Sequence, residues 1–170
     1  YLETFCGQYG VPFVHRTTCF DTSTDARKSH CFLCSWNRRK TLFALADELG
    51  CNKIALGHHR DDMLETLLMN QIFQGTFASM PPTLTMDKFA MTIIRPLANV
   101  RERDLQLLAE QRNYRKQVKN CPYEHESNRS DVRRILETME RLNPHAASSL
   151  WNSMSHVQTQ YLPPTIKKND

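Results

Sequence analysis

The sequence lacks the features that mark membrane, secreted and repetitive proteins. No apolar run reaches the length of about 18 residues that a membrane-spanning helix needs, and the start of the chain carries no signal-peptide pattern. There is no internal repeat and no low-complexity segment. These absences predict a soluble, cytoplasmic protein that has no membrane partner.

The composition is sufficient for a folded domain. Of the 170 residues, 40% are hydrophobic and 24% are charged, which argues against wholesale disorder. No internal linker stands out, so we predict one domain over residues 1–154. The remaining residues, 155–170, are polar and contain Pro163-Pro164, and we expect them to form a poorly ordered tail.

The positive charge is unevenly distributed. Residues 27–60 hold seven lysines and arginines and two acidic residues, a local charge of +5, whereas the whole chain has a net charge of +4. This local positive charge surrounds the cysteine pair and suits a partner that carries phosphate groups. The simpler alternative is a solvated basic face of a helix.

Cysteine is present, but a second C-x-x-C pair is not. Cys31 and Cys34 form one pair, which suits a metal ion, an iron–sulfur cluster or a redox dithiol. Cys121 offers a third sulfur, and His30 or His125 offers a nitrogen. Three thiolates fit a cluster that has one iron open to another ligand, while an incidental thiol pair is the alternative. We expect the single cysteines to be small buried hydrophobic residues; they are Cys6, Cys19 and Cys51.

Hydrophobic periodicity and turn residues predict alternating helices and strands. The expected order is an α/β fold with a parallel sheet covered by helices on both faces, and with a helical C-terminal end. The predicted helices are 1–9, which Gly10 ends, 34–50, 61–73, 101–113, 127–142 and 146–154. The side chains expected on the inward face of four of them are Leu42, Leu45, Ala46 and Leu49 in 34–50; Leu64, Leu67, Leu68 and Ile72 in 61–73; Leu105, Leu108 and Ala109 in 101–113; and Val132, Ile135, Leu136 and Met139 in 127–142. The predicted strands are 11–16, 53–57, 83–86 and 89–94, the last two forming a hairpin, and 117–123 is a strand or loop.

Five chemically active side chains follow the strand predicted at 53–57. They are His58, His59, Arg60, Asp61 and Asp62. Ligands of parallel sheets bind at the carboxyl ends of strands, where these carboxylates could hold Mg²⁺ on the phosphates of a nucleotide. A purely structural alternative is that Asp62 and Glu65 cap a helix.

Arg95 ends the strand predicted at 89–94. In a functional interpretation its guanidinium reaches a phosphate or a carboxylate. In a structural interpretation its stem packs on the sheet. The sequence alone leaves both open.

Several separated motifs together resemble the tRNA 2-thiocytidine synthetase family of PP-loop ATPases and occur in the order of that family. They are Cys31-Phe-Leu-Cys34-Ser, Lys53-Ile-Ala-Leu-Gly-His-His-Arg-Asp-Asp62-x-x-Glu-Thr66, Met80-Pro-Pro82, Ile94-Arg-Pro-Leu97 and Cys121-Pro-Tyr123. The resemblance covers residues 1–154. Agreement of several motifs is more specific than any one of them.

The resemblance implies a Rossmann-like, adenine nucleotide alpha hydrolase-like fold and ATP-dependent thiolation of tRNA. ATP would adenylate the C2 oxygen of an anticodon-loop cytidine, and sulfur would then replace that oxygen. A [4Fe-4S] cluster held by Cys31, Cys34 and Cys121 would carry the sulfur on its unligated iron. The histidine–aspartate segment of the family matches His58, Asp61 and Asp62. These residues would lie beside the nucleotide and its Mg²⁺.

The resemblance also implies partners. They are the tRNA anticodon loop and a sulfur donor such as a cysteine desulfurase; a homodimer is left open. Arg38, Arg39 and Lys40, beside the cluster, would contact the phosphates of the tRNA. The single-stranded loop is the usual target of sequence-specific RNA recognition.

The sequence departs from the family in one respect. The family begins with a strand followed by Ser-Gly-Gly-x-Asp-Ser, whose backbone amides cradle phosphates. The present sequence has five glycines, none of them adjacent, and lacks this loop. We therefore expect an N-terminally incomplete chain that binds ATP weakly or not at all.

Two other functions remain open. One is a non-catalytic RNA-binding fragment in which the cysteine pair holds zinc. The other is a related tRNA-modifying enzyme, either a lysidine synthetase, which needs no sulfur, or a thiouridine synthetase with additional C-x-x-C pairs.

Overall fold

The computed structural model describes residues 1–19, 30–87, 90–116 and 128–163. The chain forms two compact units, Tyr1–Asn52 and Lys53–Asp170, which are described separately below. The prediction of a single domain over 1–154 stays a prediction. No helix in the described ranges combines the length and the apolar character needed to span a bilayer.

The described residues of the first unit form two helices, α1 (Leu2–Gln8) and α2 (His30–Glu48). In α1, aromatic rings repeat at a four-residue spacing, with Phe5 lying 6.1 Å from Tyr1 and 5.0 Å from Tyr9 between ring centroids. Gly10 then adopts a φ of 65°, which favours glycine and ends the helix as the sequence predicts.

Helix α2 begins at His30, four residues before the predicted start at residue 34. Both members of the cysteine pair therefore lie inside the helix. The apolar face predicted for α2 is partly wrong. Ala46 is buried and Leu45 is half-buried, but Leu42 and Leu49 are exposed.

The strand predicted at 11–16 is absent from the described part of the chain. These residues form neither helix nor strand, and their side chains are exposed. A strand needs a neighbour to satisfy its backbone hydrogen bonds, and no described segment pairs with this one. The apolar residues Phe13 and Val14 alone did not determine a strand.

In the second unit, the described residues form the sheet and four helices. Its elements are β1 (Lys53–Ala55), α3 (Arg60–Gln74), β2 (Thr83–Thr85), β3 (Thr92–Ile94), α4 (Glu102–Gln111), α5 (Asn128–Leu142) and α6 (Ala146–Ser153). Each predicted element within the described residues of this unit is present, with ends that shift by up to three residues. The prediction for 117–123 lies outside the described residues. A short 3₁₀ turn, Thr159–Tyr161, falls within the segment that we expect to be a tail.

The sheet has three strands in the order β1-β3-β2. Strand β1 pairs with β3 in parallel, with Ile54 opposite Ile93, and β2 pairs with β3 in antiparallel orientation. The predicted hairpin is thus confirmed, and it adds an antiparallel strand to a parallel pair. The parallel pairing brings the carboxyl ends of β1 and β3 together.

The core of this unit lies between α3, α5 and α6. Leu64 and Leu68 of α3 pack with Val132 and Leu136 of α5 and with Ala147 of α6. Complete burial of one leucine side chain stabilises a fold by about 1.5–3 kcal/mol, so this cluster fixes the three helices together.

Three residues predicted to face inward are exposed. They are Ile72, Leu108 and Ile135. Each falls on the predicted apolar stripe of its helix, but the neighbouring elements do not cover that part of the stripe. Periodicity therefore predicts which face of each helix is apolar, but it overestimates how much of that face is buried.

Candidate functional site

The cysteine pair lies near the start of α2. Cys31 and Cys34 are both exposed. Their spacing of three residues puts the two sulfurs on the same side of the helix. Two accessible thiols on one face are a suitable donor pair for a metal ion or cluster.

The third predicted sulfur, Cys121, and the nitrogen of His125 lie outside the described residues. Across the described ranges, no three side chains of His, Cys, Asp or Glu come together in a way that would hold a metal ion. The ligand set Cys31, Cys34 and Cys121 stays a prediction.

The prediction that the single cysteines are buried is wrong for two of them. Cys19 and Cys51 are exposed, and Cys6 is half-buried. Cys19 lies in a segment without regular structure, and Cys51 follows the end of α2, where little apolar surface is available to cover them. Accessibility alone therefore does not distinguish the pair from the other thiols, but spacing on one helix does.

The basic run predicted to contact RNA lies further along α2. Arg38, Arg39 and Lys40 are exposed. The ammonium group of Lys40 lies 5.6 Å from the ring centroid of Trp36, within the range of a cation–π contact. Sequence analysis overlooked Trp36, although a tryptophan beside a basic run is a recognisable signal.

The carboxyl ends of β1 and β3 place His58 and Arg95 on the same edge of the sheet. The Leu56 N–H donates to the Ile94 carbonyl at 2.9 Å, which extends the parallel pairing to the residue before Arg95. Arg95 is buried, and its Nη1 donates to the Pro81 carbonyl at 2.5 Å. Its burial and this hydrogen bond agree with the structural interpretation of Arg95. A role in binding a ligand stays a prediction.

His58 has an unusual environment at this edge. Its Nδ1 atom is buried and has no hydrogen-bond partner in the described structure. Burial lowers the pKa of His58; Asp62 opposes this effect, while the positive charge of Arg95 adds to it. The imidazole is thus held neutral, with one ring nitrogen able to accept or donate a hydrogen bond.

The start of α3 is capped by His59. The His59 N–H donates to Asp62 Oδ2 at 2.9 Å, and the Asp62 N–H donates to His59 Nδ1 at 3.4 Å. This reciprocal arrangement is a capping box with histidine at the N-cap. The predicted capping pair of Asp62 and Glu65 is wrong, because Asp62 is the third residue of the helix and not its cap.

Asp61 joins α3 to the start of α4. Its carboxylate accepts from Arg101 Nε at 3.0 Å and from the Glu102 N–H at 2.7 Å. Arg101 Nη2 also donates to Glu140 of α5 at 2.9 Å. Asp61 therefore holds the first turn of α4 in place, since it satisfies a backbone donor that has no partner within that helix.

Sequence reasoning missed the arginines of α5. Arg129 lies 3.1 Å from Asp62, and Arg133 donates from Nε to Glu65 Oε1 at 2.8 Å. Glu65 is only 1% exposed, so its charge needs this partner. The four-residue spacing of Arg129 and Arg133 on one predicted helix was the available signal.

Two further pKa shifts follow from this ion-pair network. Burial raises the pKa of Asp61, but the Glu102 amide and Arg101 outweigh it and hold the pKa below its ordinary value. Burial lowers the pKa of Arg101, but its hydrogen bonds to Asp61 and Glu140 outweigh that effect and raise the pKa. Both groups therefore stay ionised across the physiological range.

The second unit thus separates two kinds of polar residue. Asp61, Asp62 and Glu65 are engaged by arginines and stabilise the packing of α3, α4 and α5. His58 and Arg95 lie where a parallel sheet receives a ligand, and a neutral histidine beside a guanidinium suits an anionic group there.

Comparison with known proteins supports a nucleotide-using fold. Residues 1–139 match the family model of the PP-loop domain. The chain is 38% identical over 169 residues to the tRNA-cytidine(32) 2-sulfurtransferase of Syntrophotalea carbinolica, covering 95% of this chain and 64% of that protein. It is 38% identical over 154 residues to the protein of the same name from Geobacter metallireducens, covering 88% and 60%.

The fold of the chain is also similar to that of a solved structure, which is again a tRNA-thiolating protein. The U34-tRNA thiolase NcsA from Methanococcus maripaludis, described with its [4Fe-4S] cluster, matches with a TM-score of 0.71 at 27% identity. The match covers 98% of this chain and 57% of that chain. The present chain therefore spans less than two thirds of the length of each of these relatives. The predicted Rossmann-like α/β fold is confirmed, and the chain belongs to the PP-loop domain family.

Proposed function

We propose that this chain is part of an ATP-dependent tRNA sulfurtransferase that forms 2-thiocytidine in the anticodon loop. The observation that carries the proposal is the exposed Cys31-x-x-Cys34 pair on α2 in a chain of the PP-loop family. The names of the sequence relatives and the cluster of the structural neighbour support the same chemistry.

The proposed reaction has two steps. The C2 oxygen of cytidine attacks the α-phosphorus of ATP, and pyrophosphate leaves. A sulfide equivalent then attacks C2, and AMP leaves with the original oxygen. The sulfur comes from a donor such as a cysteine desulfurase, whose persulfide is reduced to the sulfide level by two electrons from a thiol reductant, which becomes a disulfide. The enzyme acts in the cytoplasm.

The cysteines hold the cofactor in this proposal. Cys31 and Cys34 supply two thiolates from α2, and Cys121 supplies the third, which suits a [4Fe-4S] cluster. When bound, the cluster supplies the site from which sulfur is delivered. The two exposed thiols on one helix face fit this role, since a cluster needs donors that are accessible and closely spaced.

The residues at the sheet edge bind the nucleotide in this proposal. His58, kept neutral by burial, offers a ring nitrogen for a hydrogen bond, and Arg95 offers positive charge to phosphate. Asp61 has both carboxylate oxygens engaged by Arg101 and Glu102, so we assign it to positioning α4.

Asp62 is engaged as well, at Oδ2 by the His59 N–H and at Oδ1 by Arg129. Because Mg²⁺ needs only one or two carboxylates in addition to phosphate oxygens, we assign it to Asp62, where the ion would displace the guanidinium of Arg129.

The test is anaerobic reconstitution of the chain with iron and sulfide. We expect broad visible absorbance from the wild type and from the control Cys51→Ser, which removes an exposed thiol outside the pair. Cys31→Ser, Cys34→Ser and Cys121→Ser should each lose that absorbance. One zinc per chain without acid-labile sulfide would support the zinc-stabilised alternative and contradict the proposal.

A further inference from the structure

Helix α2 divides its functional side chains between two faces. At about 100° per residue, Cys31, Cys34 and Arg38 fall on one side of the helix. Phe32, Trp36 and Arg39 fall on another, with Lys40 at its border. The predicted RNA-binding run of three basic residues is therefore split, since Arg38 shares the face of the thiols and the other two share a face with aromatic rings.

The second face carries two large exposed aromatic side chains. Phe32 and Trp36, four residues apart, are 49% and 52% exposed. Exposed aromatic side chains on one helix face mark a candidate contact surface, and the flanking charges determine which partner fits it. Here the charges are positive, from Arg39 and Lys40.

We propose that this aromatic and basic face of α2 binds single-stranded RNA, with a nucleobase stacked on Trp36 and adjacent phosphates held by Lys40 and Arg39. The inference rests on the proposed tRNA substrate and adds the binding mode. Proteins bind unpaired bases by stacking on aromatic rings beside cations that contact the backbone. The ammonium of Lys40 lies over one face of the Trp36 ring, 5.6 Å from its centroid. The base therefore stacks on the opposite face, with Lys40 close enough to contact a phosphate beside the ring.

The charge pattern favours RNA over an apolar protein partner. From Phe32 to Lys40 there is no acidic residue, and the acidic residues of α2, Asp47 and Glu48, lie in its last turns. An apolar docking partner would leave Arg39 and Lys40 facing its surface without compensation. A polyanion with exposed planar bases satisfies both features of the face.

The experiment is binding of a labelled RNA hairpin with a single-stranded loop to the full chain, measured by fluorescence anisotropy. Trp36→Ala should weaken binding by roughly 5- to 150-fold, because stacking contributes about 1–3 kcal/mol per base. Trp36→Phe should restore most of the affinity. Tyr161→Ala, which removes an exposed aromatic ring elsewhere, is the matched control and should bind like the wild type.

Salt dependence separates stacking from phosphate contact. Lys40→Gln should reduce the slope of log affinity against log salt by about 0.7, while Trp36→Ala should leave the slope unchanged. A blunt duplex of the same stem should not distinguish Trp36→Ala from the wild type.

The outcomes distinguish this inference from the proposed function. If the hairpin binds but Trp36→Ala binds as tightly as the wild type, the stacking face is wrong and the sulfurtransferase proposal stands. If the chain binds no hairpin, the stacking face is also wrong. Failure to take up iron in the reconstitution contradicts the proposed function without reference to Trp36.

Discussion

Arg101 and Asp61, 40 residues apart in sequence, form an ion pair in which Arg101 Nη2 lies 2.9 Å from Asp61 Oδ1. The same carboxylate accepts the Glu102 N–H at the first residue of α4. One side chain from the first turn of α3 therefore determines where α4 begins. The relationship is structural, although Asp61 is also one of the residues that the sequence placed beside a nucleotide.

Replacing Asp61 should destabilise the fold strongly. Asp61→Ala leaves the guanidinium of Arg101 and the Glu102 N–H without their acceptor in a half-buried setting, and we expect a loss of about 3 kcal/mol in the free energy of unfolding. Urea denaturation measures it through the midpoint. Asp87→Ala, at an exposed turn, is the control and should change stability by less than about 0.5 kcal/mol. Equal effects of the two variants would show that the Arg101 contact does not stabilise the fold.

The pair of Glu65 and Arg133 should couple more strongly than a surface pair. Glu65 is almost fully buried, and Arg133 Nε lies 2.8 Å from its carboxylate. A double-mutant cycle with Glu65→Gln and Arg133→Gln should give a coupling energy of roughly 1–2 kcal/mol.

The chain supplies its own comparison for this cycle. Arg16 and Glu48 lie 2.6 Å apart, but both side chains are exposed. The same cycle at that pair should give about 0.5 kcal/mol or less, because water screens the charges. We therefore predict that the coupling energy depends on burial of the pair more than on the distance between the charged atoms. A larger coupling at the exposed pair would reverse that conclusion.

The stability of the chain should depend on pH through His58. Burial lowers its pKa in the folded state, so the unfolded chain takes up a proton as the pH falls below about 6.5 while the folded chain resists it. Protonation then favours unfolding, and stability falls as the pH falls.

His58→Asn removes this titration. Urea midpoints measured from about pH 7.5 down to about pH 5.5 should decline less steeply for the variant than for the wild type. The positive charges of Arg95 and Arg129 support the shift, and Asp62 opposes it. Parallel curves for the two proteins would exclude His58 as the titrating group.

The helices, the strands and the core residues were easier to predict from the sequence than the polar contacts were. Periodicity correctly predicts the burial of four core residues, because the middle of the apolar stripe on each of α3 and α5 is covered by a neighbouring helix. They are Leu64, Leu68, Val132 and Leu136. The exposed Ile135 shows the limit, since periodicity does not indicate where a neighbouring helix stops.

Polar contacts across the fold were not accessible in the same way. The pairing of Asp61 with Arg101 depends on how α3 and α4 pack, and nothing in local spacing specifies it. The sequence pattern also failed to predict that α2 begins four residues before residue 34. His30 and Cys31 precede the apolar repeat that marked the helix, so the pattern gave no signal in that turn.

The end of α3 offers a test of backbone conformation without side-chain packing. Gly75 is the C-cap of α3, with φ 60° and ψ 28°, and the N–H of the next residue, Thr76, donates to the Asn70 carbonyl at 3.1 Å. A Cβ added at Gly75 meets nothing within 4 Å, so any cost of Gly75→Ala comes from the left-handed backbone. We expect a loss of about 1 kcal/mol.

The matched control is Gly57→Ala, which also adds a Cβ into open space but at a glycine without positive φ. It should be neutral or slightly stabilising, because alanine restricts the unfolded chain. Gly75→Asn should cost less than Gly75→Ala, since asparagine tolerates the left-handed region. Thermal denaturation ranks the three variants. A Gly75→Ala protein as stable as Gly57→Ala would mean that α3 ends without the left-handed residue, since no steric contact is available to explain the result.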